Sequence, residues 1–202
     1  MHSATRQKPG RDSIVEAALS VFGDRGIEAT SLREVAREAK VSPALVVHHF
    51  GGREGLIAAA DEAALREFGT AYAAEEPAGA GGLLRQRAAQ TARVMRDRPD
   101  VCSYLGRALA EATPGASRLF TLMVEGGRGE VEALAERGAL REDADLLWAT
   151  LQHFLLIWAP LAFRPLLERE ALGGSLLDDA SLDRWVQANV ELLERGLYRA
   201  DG

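Results

Sequence analysis

Apolar positions recur at helical spacing along nearly the whole chain. Ile14, Ala18, Val21 and Phe22 fall at i, i+4, i+7 and i+8, which predicts an amphipathic helix over 11–26 closed by Gly26. Leu32, Val35, Ala36 and Ala39 give the next apolar stripe, at i, i+3, i+4 and i+7. Ser31 and Glu34 stand at its start as an S-x-x-E capping box, in which hydroxyl and carboxylate each answer the other residue's backbone N–H. Lys40-Val41 makes a turn, with Val41 filling the gap between helices. Ser42 is a second N-cap and Pro43 takes the first helical position, where its missing N–H does no harm. Leu45 or Val46, with His49 or Phe50, supplies the buried side of this short helix. Gly51-Gly52 ends it, and a fourth helix opens at Arg53 and runs through Leu56, Ile57, Ala60, Ala64 and Phe68. Two short capped helices across a tight turn read as a helix-turn-helix, the unit that lays its second helix in the DNA major groove.

The remaining pattern is also helical. Glu75 to Gly82 is a break. Helices are predicted over 83–98, 101–112 and 115–137, the last interrupted near Gly126-Gly127. The segment 143–170 is the longest, bent at Pro160 and Pro165. Gly173-Gly174 breaks the chain again, and Ser181 is expected to cap a final helix ending at Tyr198. No useful β alternation occurs, so the fold class is all-α. Residues 146–158 are apolar nearly all round, so both sides of that helix need cover. One side suits the domain core and the other a second subunit. The expected two-fold interface comprises Leu151, Leu155, Trp158, Trp185, Val186, Asn189, Leu193 and Leu197, the alternative being that both helices simply bury a monomer core.

Candidate chemistry sits on the second helix of the helix-turn-helix. Pro43, Ala44, Val47 and His48 are expected to face the groove, where methyl groups meet thymine methyls and imidazole donates to guanine or phosphate. Arg53 opposes the macrodipole of the helix it opens, which makes sense if a phosphate sits there. His48 and His49 are adjacent, but helical neighbours point about 100° apart. One packing and one DNA-facing histidine is the better account than a metal site. Net charge is −6, yet residues 1–56 carry 8 Lys/Arg against 7 Asp/Glu, so the head is weakly basic and the acidity lies in the rest. Arg6, Lys8 and Arg11 form a basic arm without an acid among the first eleven residues, able to track phosphate or a minor groove. The single cysteine, Cys102, excludes an internal disulfide and fits a reducing cytoplasm. The polar N-terminus lacks a signal-like apolar segment, and the run from Phe154 to Phe163 is too short to cross a bilayer. No acid/base pair, nucleophile constellation or metal spacing appears, so neither an enzyme nor a cofactor is expected.

Residues 11–57, about a quarter of the chain, resemble the N-terminal domain of TetR/AcrR-family transcriptional regulators. The resemblance rests on Phe22…Gly26, Thr30-Ser31, Arg33, Val35-Ala36, Ala39, Val41-Ser42, Val46, His49-Phe50, Arg53 and Leu56. It implies a three-helix DNA-binding domain (1–56) followed by a larger helical ligand-binding and dimerisation domain (57–202). It further implies a homodimeric repressor released from a palindromic operator in double-stranded DNA by a small, mostly apolar effector, with an activator or ligand-independent regulator as the alternative. By the same resemblance Ser31 and Arg33 lie at the DNA-facing start of the second helix. Ser42, Pro43, Ala44, Leu45, Val47 and His48 form the recognition surface, and Arg53 clamps phosphate. The chain departs from the family pattern at Lys40, where glycine is usual, at Pro43, where lysine is frequent, and at Val47, where tyrosine is frequent. The family would also place Met95, Cys102, Tyr104, Phe120, Met123, Trp148, Gln152, His153 and Phe154 around a ligand cavity, Gln152 and His153 being its polar members.

Overall fold

The computed structural model describes residues 10–73 and 80–196. Its helices are α1 (Arg11–Arg25), α2 (Leu32–Glu38), α3 (Pro43–Phe50), α4 (Arg53–Ala73), α5 (Ala80–Asp97), α6 (Pro99–Ala110), α7 (Pro114–Glu136), α8 (Leu146–Ala162), α9 (Arg164–Leu167) and α10 (Asp179–Gly196), with a π-helical turn at Glu168–Leu172. No strand occurs among the described residues. Several helix starts are capped by side chains. Thr113, Asp145 and Asp178 accept from the N–H groups of Ala116, Trp148 and Ser181 at 3.2, 3.1 and 2.7 Å. The last cap is therefore Asp178 and not Ser181, which lies inside α10. The chain does not break at Gly126-Gly127: α7 is continuous, because packing along α8 outweighs the roughly 1 kcal/mol per glycine that helix propensity costs. The bend expected from the prolines is real and falls at Phe163, where α8 and the following segment diverge by 66°. No single helix among the described residues is long and apolar enough to cross a membrane.

Helices α1 to α4 form a small head whose centre is Ile14, Ala18, Phe22, Ile27, Val35 and Val46, each at most 1% exposed. The division expected at 56/57 falls inside α4, and one apolar core runs from the head through Tyr104, Leu119 and Trp158 to Leu182. A second, smaller core gathers Val131, Leu134, Leu140, Ala149, Val190 and Leu193 at the far end of α7, α8 and α10.

Helix α6 straps the head along α1. At its middle, α1 comes so close that a Cβ on Gly23 would stand 2.8 Å from Ser103 Cβ and 2.9 Å from the Tyr104 backbone nitrogen. Just before α6, the Arg98 guanidinium bonds Glu16 of α1 at 2.8 Å, Glu67 of α4 at 2.7 Å, and Asp100. Just past its other end, the Glu111 carboxylate accepts from the Ile27 and Glu28 N–H groups at 3.2 and 3.0 Å. Deeper in the same junction, the Tyr104 hydroxyl donates to Asp61 of α4 at 2.6 Å, and Arg118 of α7 lies 3.7 Å from the other carboxylate oxygen. Burial pushes the Asp61 carboxyl above its usual value, against the lowering effects of Tyr104 and Arg118.

Two outcomes follow from this junction. Gly23→Ala lowers the unfolding free energy by about 1–2 kcal/mol, overpacking outweighing alanine's better helix propensity, as measured by urea denaturation. Because native Asp61 holds its proton more tightly than the unfolded chain does, its contribution to stability declines as pH rises from 3.8 through its elevated native value. Asp61→Asn lacks that decline, so its stability relative to wild type grows with pH across this window. Urea midpoints taken as a pH series read the difference, and a pH-independent gap would contradict the assignment.

Candidate nucleic-acid interface

The interface is built from local interactions. Ser31 Oγ accepts from the Glu34 N–H at 3.3 Å, while the Glu34 carboxylate accepts from the Ser31 N–H at 2.8 Å and its hydroxyl at 2.9 Å. The Ser31 backbone bond, then its hydroxyl and Arg25, 3.0 Å away, hold the Glu34 carboxyl below the usual range. At the end of α2, Lys40 adopts φ 57°, a left-handed conformation that costs a side-chain-bearing residue about 1–2 kcal/mol. The geometry is a Schellman motif: the Val41 N–H reaches the Ala36 carbonyl at 2.9 Å and the Lys40 N–H that of Arg37 at 3.1 Å. Ser42 Oγ then caps α3 through the Leu45 N–H at 3.2 Å, and Gly51, at φ 75°, closes it.

Of the residues expected to bury α3, Val46 is sealed in the head core and Leu45 and Phe50 are half-buried. His49 is exposed, so the expectation of one packing and one outward histidine is corrected: His48 and His49 both face solvent, their rings 5.4 Å apart. The short α3 turns its apolar side inward through Val46 and Phe50, and His49 falls off that side. Ser42, Pro43, Ala44, Val47 and His48 lie together on the exposed surface, with Leu45 at its edge. Exposed Arg33, Arg37 and Lys40 flank it from α2 and the turn. Arg37 and Lys40 were missed by motif reading; they occupy the polar stripe opposite Val35 and Ala39, where helical periodicity alone would have found them. Arg11 stacks its guanidinium 5.2 Å from the Phe50 ring centroid, tying the start of α1 to the end of α3. Arg6 and Lys8 of the expected basic arm lie outside the described residues.

Arg53 is turned inward. Its guanidinium donates to the Ile27 carbonyl and, at 3.4 Å, to that of Thr30, so it ties α4 to the loop before α2. This is the loop that Glu111 holds from the other side. In this geometry Arg53 ties α4 to that loop. Ser31 likewise spends its hydroxyl on the capping box.

The ligand candidates differ widely in burial. Met95, Cys102, Tyr104 and Phe154 are buried, Met123 and His153 are half-buried, and Phe120, Trp148 and Gln152 are exposed. Trp148 and Gln152 fall on the outer face of α8 with Leu155. His153 is answered by its own helix, Nδ1 lying 2.6 Å from the Ala149 carbonyl, and burial holds its pKa below the usual value. Burial also pushes the Cys102 thiol up to about 12, which leaves it unreactive. Two adjoining polar clefts of about 520 and 210 Å3 share Asp24, Ser103, Arg164 and Glu168, and none of the nine candidates lines them.

Among the expected interface residues, Trp158 and Leu193 are interior. Trp158 is 1% exposed and stacks 4.9 Å from Phe68, and Leu193 belongs to the second core. Both sit on the inward faces of helices whose all-round apolarity hides which side is inside. Leu151 and Leu155 are on the outer face of α8, half-buried and exposed. Trp185, Val186 and Asn189 of α10 are half-buried, the Trp185 indole donating to the Leu156 carbonyl at 3.2 Å. Leu197 lies outside the described residues. No group of three or more His, Cys, Asp or Glu suited to hold a metal occurs among the described residues.

Residues 14–60 match the family model described as "Bacterial regulatory proteins, tetR family". This segment therefore resembles the DNA-binding head of TetR-family transcriptional regulators. The chain is 51% identical over 49 residues to the HTH-type transcriptional regulator BetI of Rhizobium meliloti (strain 1021), a match covering 24% of each chain. It is 42% identical over 59 residues to BetI of Brucella anthropi, covering 29% of this chain and 30% of the other. The chain thus spans about a quarter to a third of the length of the curated relatives it matches. The whole fold is shared more widely. A TetR family regulator, PfmR of Thermus thermophilus, matches at TM-score 0.71 and 24% identity over 94% of this chain and 98% of its own. The fatty acid degradation regulator FadR of Bacillus halodurans matches at TM-score 0.73 and 14% identity over 94% and 96%.

The inward tie predicts how Arg53 behaves. Arg53→Ala lowers head stability by about 1–3 kcal/mol, as expected when charge-assisted bonds to backbone carbonyls are lost. It leaves the salt dependence of DNA binding unchanged, whereas losing a phosphate contact would reduce the slope of log K against log salt by about 1. Thermal melts and a salt titration separate the two.

Proposed function

We propose that the protein is a homodimeric repressor that reads a palindromic operator with paired α3 helices and is released by a small, mostly apolar effector. The observation that carries the reading is the exposed surface of α3, with Pro43, Ala44, Val47 and His48 side by side on a rigidly capped helix flanked by the cations of α2. Methyl and imidazole groups read base edges, and Arg33, Arg37 and Lys40 supply attraction to phosphate. In this reading 1–56 is the DNA-binding head and 57–202 the effector and dimerisation domain, working in the cytoplasm.

Dimerisation is supported by the outer faces of α8 and α10. Leu147, Trp148 and Leu155 are 60, 56 and 48% exposed, and Leu192 is 59% exposed. Pairing these faces two-fold buries apolar surface and brings two heads to one side, as a palindrome demands. Effector and DNA then oppose each other by linkage, through α4, which begins directly after the recognition helix.

Fluorescence anisotropy on the chain's own upstream DNA, at two salt concentrations and against scrambled DNA, tests the reading. The expected result is selective binding at two subunits, or a multiple, per site. Val47→Ala or His48→Ala lowers affinity for the selected site about tenfold and leaves scrambled DNA unaffected. Binding that ignores sequence and disappears with salt would contradict it.

A further inference from the structure

The two adjoining clefts, of about 520 and 210 Å3, open where the head meets the body. Gly23 and Asp24 of α1, Ser103 and Arg107 of α6, and Arg164 and Glu168 beyond α8 line the smaller one. Gly23 and Ser103 are the pair at which α1 and α6 nearly touch. The larger cleft shares Asp24, Ser103, Arg164 and Glu168 and adds Asp100 and Asp178. Its far wall is shaped by the π-helical turn, an irregularity that recurs at functional sites. Glu168, the first residue of that turn, accepts from the Leu176 N–H at 2.8 Å and the Ser175 hydroxyl at 3.2 Å, which folds the following loop back beside the cleft. Asp178 ends the loop. One of its carboxylate oxygens caps α10, and the other bonds nothing among the described residues.

The smaller cleft holds unmatched charge of both signs. Arg107 spends only Nε, on the Gly23 carbonyl at 3.4 Å. Arg164 spends Nη1 on the Ser103 hydroxyl at 2.6 Å, and its Nε lies 3.8 Å from Glu168. The two terminal nitrogens of Arg107 and Nη2 of Arg164 bond nothing among the described residues. Asp24 lines the same cleft and makes no ion pair or hydrogen bond among the described residues. Opposite charges that share a cleft without meeting suit a guest that carries both signs. Two guanidinium forks take a carboxylate, and a carboxylate takes an ammonium. The larger cleft adds a further demand. Asp100 is answered by Arg98 at 2.9 Å and Glu168 by Arg164, which leaves Asp24 and the outer oxygen of Asp178 uncompensated. The part of the guest that extends there is therefore cationic.

We propose that the two clefts form a binding site for a basic α-amino acid. Its α-carboxylate meets Arg107 and Arg164, its α-ammonium meets Asp24, and its side-chain cation extends to Asp178. The site lies outside the apolar interior of the body and is independent of the apolar effector of the proposed reading. A guest held there bonds α1, α6 and the connection from α8 to α10 at once, so it stiffens the junction of head and body.

Isothermal titration calorimetry of the full-length chain with L-lysine and L-arginine tests the site. Their analogues remove one charge at a time: cadaverine and agmatine lack the carboxylate, the Nα-acetyl derivatives lack the α-ammonium, and L-norleucine lacks the side-chain cation. The expected result is one basic amino acid bound per protomer, with each analogue weaker by about tenfold or more, the worth of a charge-assisted hydrogen bond. Arg107→Gln lowers the affinity for the amino acid about tenfold and leaves that for its decarboxylated analogue unchanged. Asp24→Asn removes the gap between the amino acid and its acetyl derivative. Circular dichroism checks that both variants fold, and the analogue series on the unaltered chain decides if they do not. No binding of either amino acid, equal binding of a decarboxylated analogue or of norleucine, or undiminished affinity in folded Arg107→Gln would overturn the proposal.

Discussion

The close approach of α6 to α1 governs the rest of the structure. Glycine at position 23 lets the two backbones nearly touch, and polar ties fix both ends of the strap: Arg98 to Glu16 and Glu67, and Glu111 to the Ile27 and Glu28 N–H groups. The head is therefore not a bead on a linker. Its core is continuous with that of the body, and the loop before α2 is held by Glu111 from the body and by Arg53 from α4. In the proposed reading, a rearrangement of α6 or α4 carries α3 with it, because packed interfaces move as units and do not deform continuously.

The reading surface is economical in charge. Residues 1–56 are nearly neutral overall, and the exposed part of α3 offers methyls and imidazoles in place of lysine and tyrosine. Base-edge contacts specify and phosphate contacts position. In the proposed reading, a head of this composition depends on the former more than on long-range attraction, so the rigidity of its caps matters. The Ser31–Glu34 box, the Schellman turn at Lys40 and the Ser42 cap fix α2 and α3 relative to one another without any contact from the body. The strain left at Lys40 is accepted in a turn that also points a cation outward beside the reading helix.

What the sequence made legible is what short-range chemistry decides. Ser31–Glu34, Ser42-Pro43 and Gly51 mark helix ends within four residues of themselves, and all three act as read. Partners distant along the chain were not legible. Arg53 looked like a free cation at a helix start because Ile27 and Thr30 are brought to it by folding. His153 looked as if it needed a ligand, though its own helix supplies the Ala149 carbonyl. An apolar helix does not reveal which side faces inward, so Trp148 and Trp158 exchanged places: the first is on the surface and the second is in the core. Gly126-Gly127 failed to break α7 because α8 packs along it, and tertiary contact overrides local propensity.

A dimer that reads a palindrome with paired α3 helices fixes the distance between its two heads. A spin label on a cysteine replacing exposed His49, with Cys102 buried and unreactive, reports that distance in the DNA complex by pulsed electron resonance. The expected result is a single narrow distribution compatible with recognition helices about 34–36 Å apart, one turn of the duplex. An absence of dipolar coupling, or a distance that does not place both helices in successive major grooves, would contradict it.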